Sequence, residues 1–275
     1  MKTKLTSRFW VALVMCSLIG QVAWVVENMY LNVFIYNMFN ASANDISLMV
    51  AASAISATLT TVFMGALSDK IGKRKVFICG GYILWGLSIF GFTLLKTDII
   101  NTIFPAVTSA AALAVTLTII LDCVMTFFGS TANDAAFNAW LTDSSDSSNR
   151  GTVEGINSMM PLVAILVVFG SFMFFDLTQS ESWTLIFAII GTVVTLIGIL
   201  GFFLTGMYWN RGNFKLLQPV RAAFFAAFCD ETLQLFIPGR SGEVKDVWID
   251  FAGALCGCLF LWLLLKWRSR HQASS

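Results

Sequence analysis

The chain has 275 residues, 57% of them hydrophobic and 12% charged, with a mean hydropathy of +0.78. Soluble domains carry roughly a quarter charged residues, so a water-soluble globular fold, and with it a soluble enzyme, is excluded. Seventeen Lys and Arg against 16 Asp and Glu leave a net charge of +1, with no basic face for phosphates, which excludes a nucleic-acid binder.

A helix rising 1.5 Å per residue needs about 20 apolar residues to cross about 30 Å of hydrocarbon. Eight stretches qualify, at 9–39, 46–67, 76–95, 110–137, 155–175, 183–207, 216–237 and 247–265. The first follows Lys2, Lys4 and Arg8 as a signal peptide would, but it runs far past a signal core and lacks a small-x-small cleavage site. It reads as a retained helix. The seventh is the most polar, carrying Arg221, Asp230 and Glu231. The expected fold class is an all-α membrane protein of about eight transmembrane spans.

Basic residues set the expected orientation. With the N-terminus inside, the cytoplasmic segments hold Lys2, Lys4, Arg8, Lys70, Lys73, Arg74, Lys75, Arg150, Arg211, Lys215, Arg221, Lys266, Arg268 and Arg270. The opposite side holds Lys96, Arg240 and Lys245. Every loop then obeys the positive-inside rule, which puts a multi-pass protein in the cell membrane with both termini cytoplasmic.

His271 is the one histidine and lies in the polar tail, so histidine acid–base or metal chemistry has almost no material. Cys16, Cys79, Cys123, Cys229, Cys256 and Cys258 sit inside apolar runs and read as small hydrophobes. No catalytic set, metal site or cofactor is expected.

Polar residues inside the spans are costly in lipid, and chemistry concentrates there. In the first span Gln21, Trp24, Asn28 and Asn32 recur at steps of three and four, with Glu27 beside them. In the fourth, Asp122, Thr126, Gly129 and Asn133 form a second stripe, with Asp134 and Asn138 adjacent. Carboxylates and amides bind sugar hydroxyls, and an aromatic face packs on a sugar's C–H side. Two readings stand: a solute site, or polar contacts that only bridge helices.

Between the second and third spans runs Gly65-Ala-Leu-Ser-Asp69-Lys70-Ile-Gly72-Lys73-Arg74-Lys75. It resembles the Gly-x-x-x-Asp-Arg/Lys-x-Gly-x-Arg/Lys-Arg/Lys gating loop of the major facilitator superfamily of transporters. Gly65 then permits close helix packing, Asp69 offers a charge to a neighbouring helix N-terminus, and Gly72 allows a tight turn. Asn138-Ala-Trp140-Leu-Thr-Asp143, followed by Asn149-Arg150-Gly151, is similar to a loop of the glycoside–pentoside–hexuronide cation symporters. These resemblances cover about residues 1–212 and imply a six-span transporter half moving sugars by secondary symport. Sodium-binding members resemble one another in an Asp of the second span, whereas Ser56-Ala-Thr-Leu-Thr-Thr61 holds none. A coupling proton on Glu27, Asp122 or Asp134 is therefore the alternative. The superfamily resemblance implies two halves rocking about a central site. One half alone would need a second copy, as a homodimer, or a complementary half.

A polar interval, Tyr208–Lys215, marks an expected module boundary near Asn213. Beyond it, Glu231-x-x-Gln234, Pro238-Gly239-Arg240 and Asp246-x-x-x-Asp250-x-x-Gly253-x-x-x-Gly257 resemble the VanZ-like family, with Asp250 where that family more often has Asn. The expected organisation is 1–212, a transporter-like half, and 213–275, a VanZ-like segment with a cytoplasmic tail. Glu231 and Gln234 share a helix face, and Arg240 can fold back onto Glu231 after the Pro-Gly turn. That cluster reads either as a pin between two helices or as a shallow site for an envelope component. The resemblance implies an association with glycopeptide (teicoplanin) antibiotic resistance. Three functions compete: a transporter-derived protein, a VanZ-like envelope protein, and an inactive fusion remnant.

Overall fold

The computed structural model describes residues 5–209, with side chains from 5 to 201. Residues Met1–Gly201 make one compact unit and Phe202–Ser275 another. The seventh and eighth expected spans, and with them Glu231, Gln234, Arg240, Asp246 and Asp250, lie outside the described residues.

Among the described residues there is no strand, and six helices are long and apolar enough to cross a membrane. They run Ser7–Phe39, Ala43–Ile71, Arg74–Leu94, Ala110–Ser144, Arg150–Phe172 and Ser180–Gly201. Each coincides with one of the first six expected spans. The fourth continues beyond its apolar run, because Asn138–Ser144 carries on as polar helix. One short helix, Thr97–Ile103, was not expected from hydropathy.

Local chemistry sets the turns. Asn40 adopts φ 52°, the left-handed conformation that ends the first span. Ser42 then opens the second with a capping box: its hydroxyl accepts from Asp45 N–H at 3.3 Å, and Asp45 accepts from Ser42 N–H at 2.8 Å. Gly72, at φ +68°, closes the second span as the motif required. Pro161 sits inside the fifth span, where its missing N–H costs one helical hydrogen bond.

Three features lock the bundle. Gly86 and Gly191 let the third and sixth spans touch backbone to backbone. A Cβ added at Gly86 would lie 2.5 Å from Thr195 N and 2.6 Å from Gly191 O. Tyr82, fully buried, places its hydroxyl 2.7 Å from Cys16 O and 3.1 Å from Asn133 Oδ1, joining the first, third and fourth spans. Ser17 ties the first span to the fifth by donating to Asn157 Oδ1 at 2.6 Å.

The third and sixth spans are the most enclosed and the second and fifth the least. The outer faces of the latter two carry Ile55, Val62, Phe63, Met159, Leu162 and Leu166, all exposed. Such faces suit lipid or another apolar protein surface, which is what a membrane bundle requires.

Candidate solute-binding site

Two of the spans change pitch where their polar residues lie. Val26–Tyr30 in the first and Ser130–Phe137 in the fourth are π-helical. Leu31 N–H bonds to Val26 O, five residues back, in place of the α-helical four. In this loosened turn Asn28 Nδ2 donates to Trp24 O at 2.8 Å, and Asn32 Nδ2 to Asn28 O at 3.1 Å. π turns are rare and gather at functional sites. Here both contribute residues to the same polar cluster, Glu27 and Asn28 from one and Asp134 from the other.

The pitch change also decides which fourth-span residues face inward. On an unbroken α-helix Asn133 would lie about 20° from Asp122 and Asp134 about 120° away. Instead Asp134 lines the cavity, while Asn133 is buried against Tyr82. The expected stripe of Asp122, Thr126, Gly129 and Asn133 is therefore broken by the π segment. Gly129 serves packing: a Cβ there would lie 2.7 Å from the Trp85 ring.

The cavity has a volume of about 420 Å³. The first span contributes Gln21, Trp24, Glu27, Asn28 and Asn32. The second adds Val50, Ser53, Ala54 and Ala57, and the fourth Asp122, Thr126 and Asp134. All seven residues that the sequence pointed to as solute-facing thus meet at one place. Ser53 was missed. Its signal was legible as a small polar stripe, Ser53, Ser56 and Thr60, at steps of three and four on the second span.

Glu27 sits at the centre. Its Oε1 accepts from Ser53 and Thr126 hydroxyls, each at 2.9 Å, while those hydroxyls lie 2.7 Å apart. Each hydroxyl has one proton, so at most two sides of this triangle are hydrogen bonds at once. Glu27 and Asp122 are buried, at 7% and 2% exposure. Glu27 Oε2, Asp122 Oδ1 and Asn32 Oδ1 are buried without a hydrogen-bond partner among the described residues. Asp134 stands beside Trp24 and Ser130. Among the described residues no Lys, Arg or His lines the cavity. Trp24 packs on Trp85 with ring centroids 5.0 Å apart, which fixes its indole against the wall.

The loop motif builds a separate cluster. Arg74 Nη1 meets Asp69 Oδ1 at 2.5 Å, and its Nε donates to Asp143 at the end of the fourth helix. Asp69, in the last turn of the second span, is therefore held by the side chain of Arg74, the first residue of the third. Gly65 has no steric need to be glycine, since an added Cβ would come only within 4.0 Å of Ala135 Cβ. Arg150 donates from Nη2 to Thr142 O at 2.9 Å, capping the carbonyl end of the fourth helix.

Helices that span, a polar cavity walled by three of them and a charged loop cluster define a multi-pass, transporter-related membrane protein. The family model for VanZ/LLP1 matches residues 113–265, more than half of the chain. The chain belongs to the VanZ/LLP1 family. The match takes in Asp122 and Asp134 as well as 231–250, so it reaches well upstream of the stretch whose motif resembles VanZ. The proline/betaine transporter of Escherichia coli K12 is 24% identical over 193 residues, 60% of this chain and 35% of that protein. The quinolone resistance protein NorA of Staphylococcus aureus, strains Mu50 and N315, is 43% identical over 53 residues, 19% of this chain and 13% of NorA. The chain thus spans about an eighth to a third of the length of these curated relatives. No solved structure matches it.

Proposed function

We propose that this protein holds a small polar solute in the cavity between its first, second and fourth spans, as a secondary transporter does. The observation that carries the reading is the convergence of Glu27, Asp122 and Asp134 with Trp24 on one intramembrane cavity. Buried carboxylates are expensive in a membrane and are kept where they bind or move something. Relatives named for proline/betaine transport and for quinolone resistance support a small solute as cargo. Amides, carboxylates and an indole face are the groups that hold a sugar, so glycosides are the first solutes to test. The coupling proton would ride on Glu27, Asp122 or Asp134.

Both termini are cytoplasmic in this reading, and the spans of 1–212 act as one transporter-like half. A homodimer or a complementary half supplies the facing wall of the site. Solute-dependent stabilisation of the purified protein, across glycosides, zwitterions and cations, tests the reading. Stabilisation by one class, lost in Glu27→Gln, supports it; no response to any class contradicts it.

A second reading rests on family membership. Glu231, Gln234, Arg240, Asp246 and Asp250 would form an envelope-facing site linked to glycopeptide resistance. Teicoplanin susceptibility of a host expressing wild type or Arg240→Ala tests this. Raised resistance that Arg240→Ala abolishes supports an envelope role; an unchanged susceptibility removes it.

A further inference from the structure

The cavity's hydrogen-bonding capacity is lopsided. Ser53 and Thr126 spend their hydroxyl protons within the Glu27 triangle. The Asn28 and Asn32 amides turn N–H groups to backbone carbonyls. What remains is mostly acceptor: on the lining residues Glu27 Oε2, Asp122 Oδ1 and Asn32 Oδ1 are buried and unpartnered among the described residues, against one unpartnered donor, Trp24 Nε1. A sugar hydroxyl both donates and accepts, so it would leave part of itself unmatched here. An ammonium group donates three times and accepts nothing, which is the complement of this lining.

Charge points the same way. Among the described residues three carboxylates face the cavity and no cationic side chain does. Arg8, Lys70, Lys73, Arg74, Lys75, Lys96 and Arg150, the described cations, lie at span ends or in loops. A buried carboxylate without a counter-charge is neutralised by a proton or by a positive guest, so a cation can take the proton's place here. No three acidic, Cys or His side chains among the described residues are grouped as a metal site, and a bare alkali ion is one arm of the test below. The volume of about 420 Å³ is that of an organic molecule. Val50, Ala54 and Ala57 offer apolar wall for carbon, and the Trp24 ring offers a face that attracts cations.

We infer that the solute is an organic ammonium ion, with its N–H groups on Glu27 and Asp122 and its hydrocarbon part against Trp24 and the alanines. The inference rests on the cavity being a solute site and narrows its occupant from polar to cationic, in place of a neutral sugar.

The test compares two solutes of one shape. Phenethylammonium is a cation at neutral pH, and 2-phenylethanol is its uncharged counterpart. Binding to the purified full chain is measured by calorimetry, with methyl glucoside and sodium chloride as further arms. The expected result is phenethylammonium binding about tenfold or more tighter than 2-phenylethanol. Glu27→Gln and Asp122→Asn should erase that preference by weakening phenethylammonium. The wild-type comparison stands alone if either variant fails to fold. Equal affinity for the two phenyl solutes, or tighter binding of methyl glucoside, overturns the ammonium assignment and leaves the solute site standing. Displacement by equimolar sodium also overturns it, by showing a simple ion site. Binding of none of the four overturns both the assignment and the reading it rests on.

Discussion

Ser53 of the second span donates to Glu27 Oε1 of the first at 2.9 Å, and this contact joins two helices at the wall of the cavity. It gives the second span, one of the least enclosed in the bundle, a fixed position relative to the buried carboxylate. A hydrogen bond to a charged or strongly polar group contributes about 1.5–3 kcal/mol. Ser53→Ala should therefore lower the melting temperature of the purified protein, and Ser53→Val should lower it further by adding bulk. Thr126 still serves Glu27 in both, so folding should survive. A Ser53→Ala protein as stable as wild type would show that Thr126 alone satisfies Glu27.

The glycine contacts give an opposed pair of outcomes. Gly86→Ala drives a methyl into the Gly191 and Thr195 backbone, and overpacking of this kind costs about 1–3 kcal/mol or more. Gly65→Ala meets only ordinary contact and gains helix propensity of about 1 kcal/mol. Thermal unfolding in detergent should show the first destabilised and the second unchanged or stabilised. The reverse order would refute the packing of the third span on the sixth.

Arg74 reaches Asp69 and Asp143 with different nitrogens of one guanidinium. Lysine has a single ammonium and cannot reproduce that fork. Both acidic partners are more than half exposed, so the static gain is small, about 1 kcal/mol or less. The expected effect of Arg74→Lys is therefore on mobility: cysteines placed beside the carboxylates, at Lys70 and Thr142 in separate reporters, should label faster, as in Arg74→Ala. Labelling at the wild-type rate in Arg74→Lys would show that charge alone suffices.

The charge asymmetry of the loops yields a topology test. In a background without native cysteine, Thr108→Cys should react with an impermeant maleimide from outside intact cells. Ser145→Cys should react only after permeabilisation. The opposite pattern would invert the orientation.

Much of this fold was legible because hydropathy reports burial in lipid directly. The first six spans needed only apolar run length and loop charge, and the turn at Gly72 followed from its residue type. The fourth span overran its apolar stretch because hydropathy stops at Asn138, whereas the helix ends at Ser144, six residues further on. The π turns left no trace in composition, since pitch depends on how backbone bonds pair. As a result Asn133 and Asp134 exchanged places relative to a regular helix. Ser53 went unnoticed because serine and threonine in a membrane helix can satisfy themselves on their own backbone, so the stripe of Ser53, Ser56 and Thr60 carries no visible cost. Only the approach of Glu27 reveals its second role.

The central claim is that the cavity walled by Glu27, Asp122 and Asp134 binds a solute, and Trp24 reports on it from inside. Trp24 lies 5.0 Å from Trp85, so a guest against its face should change its emission. The decisive measurement is a fluorescence titration of the wild type against Trp24→Phe, over the same panel of ammonium, neutral and glycoside solutes. A saturable change in the wild type that is absent in Trp24→Phe, and shifted to weaker binding by Glu27→Gln, is the predicted result. Identical responses in wild type and Trp24→Phe, or none in either, would contradict the account.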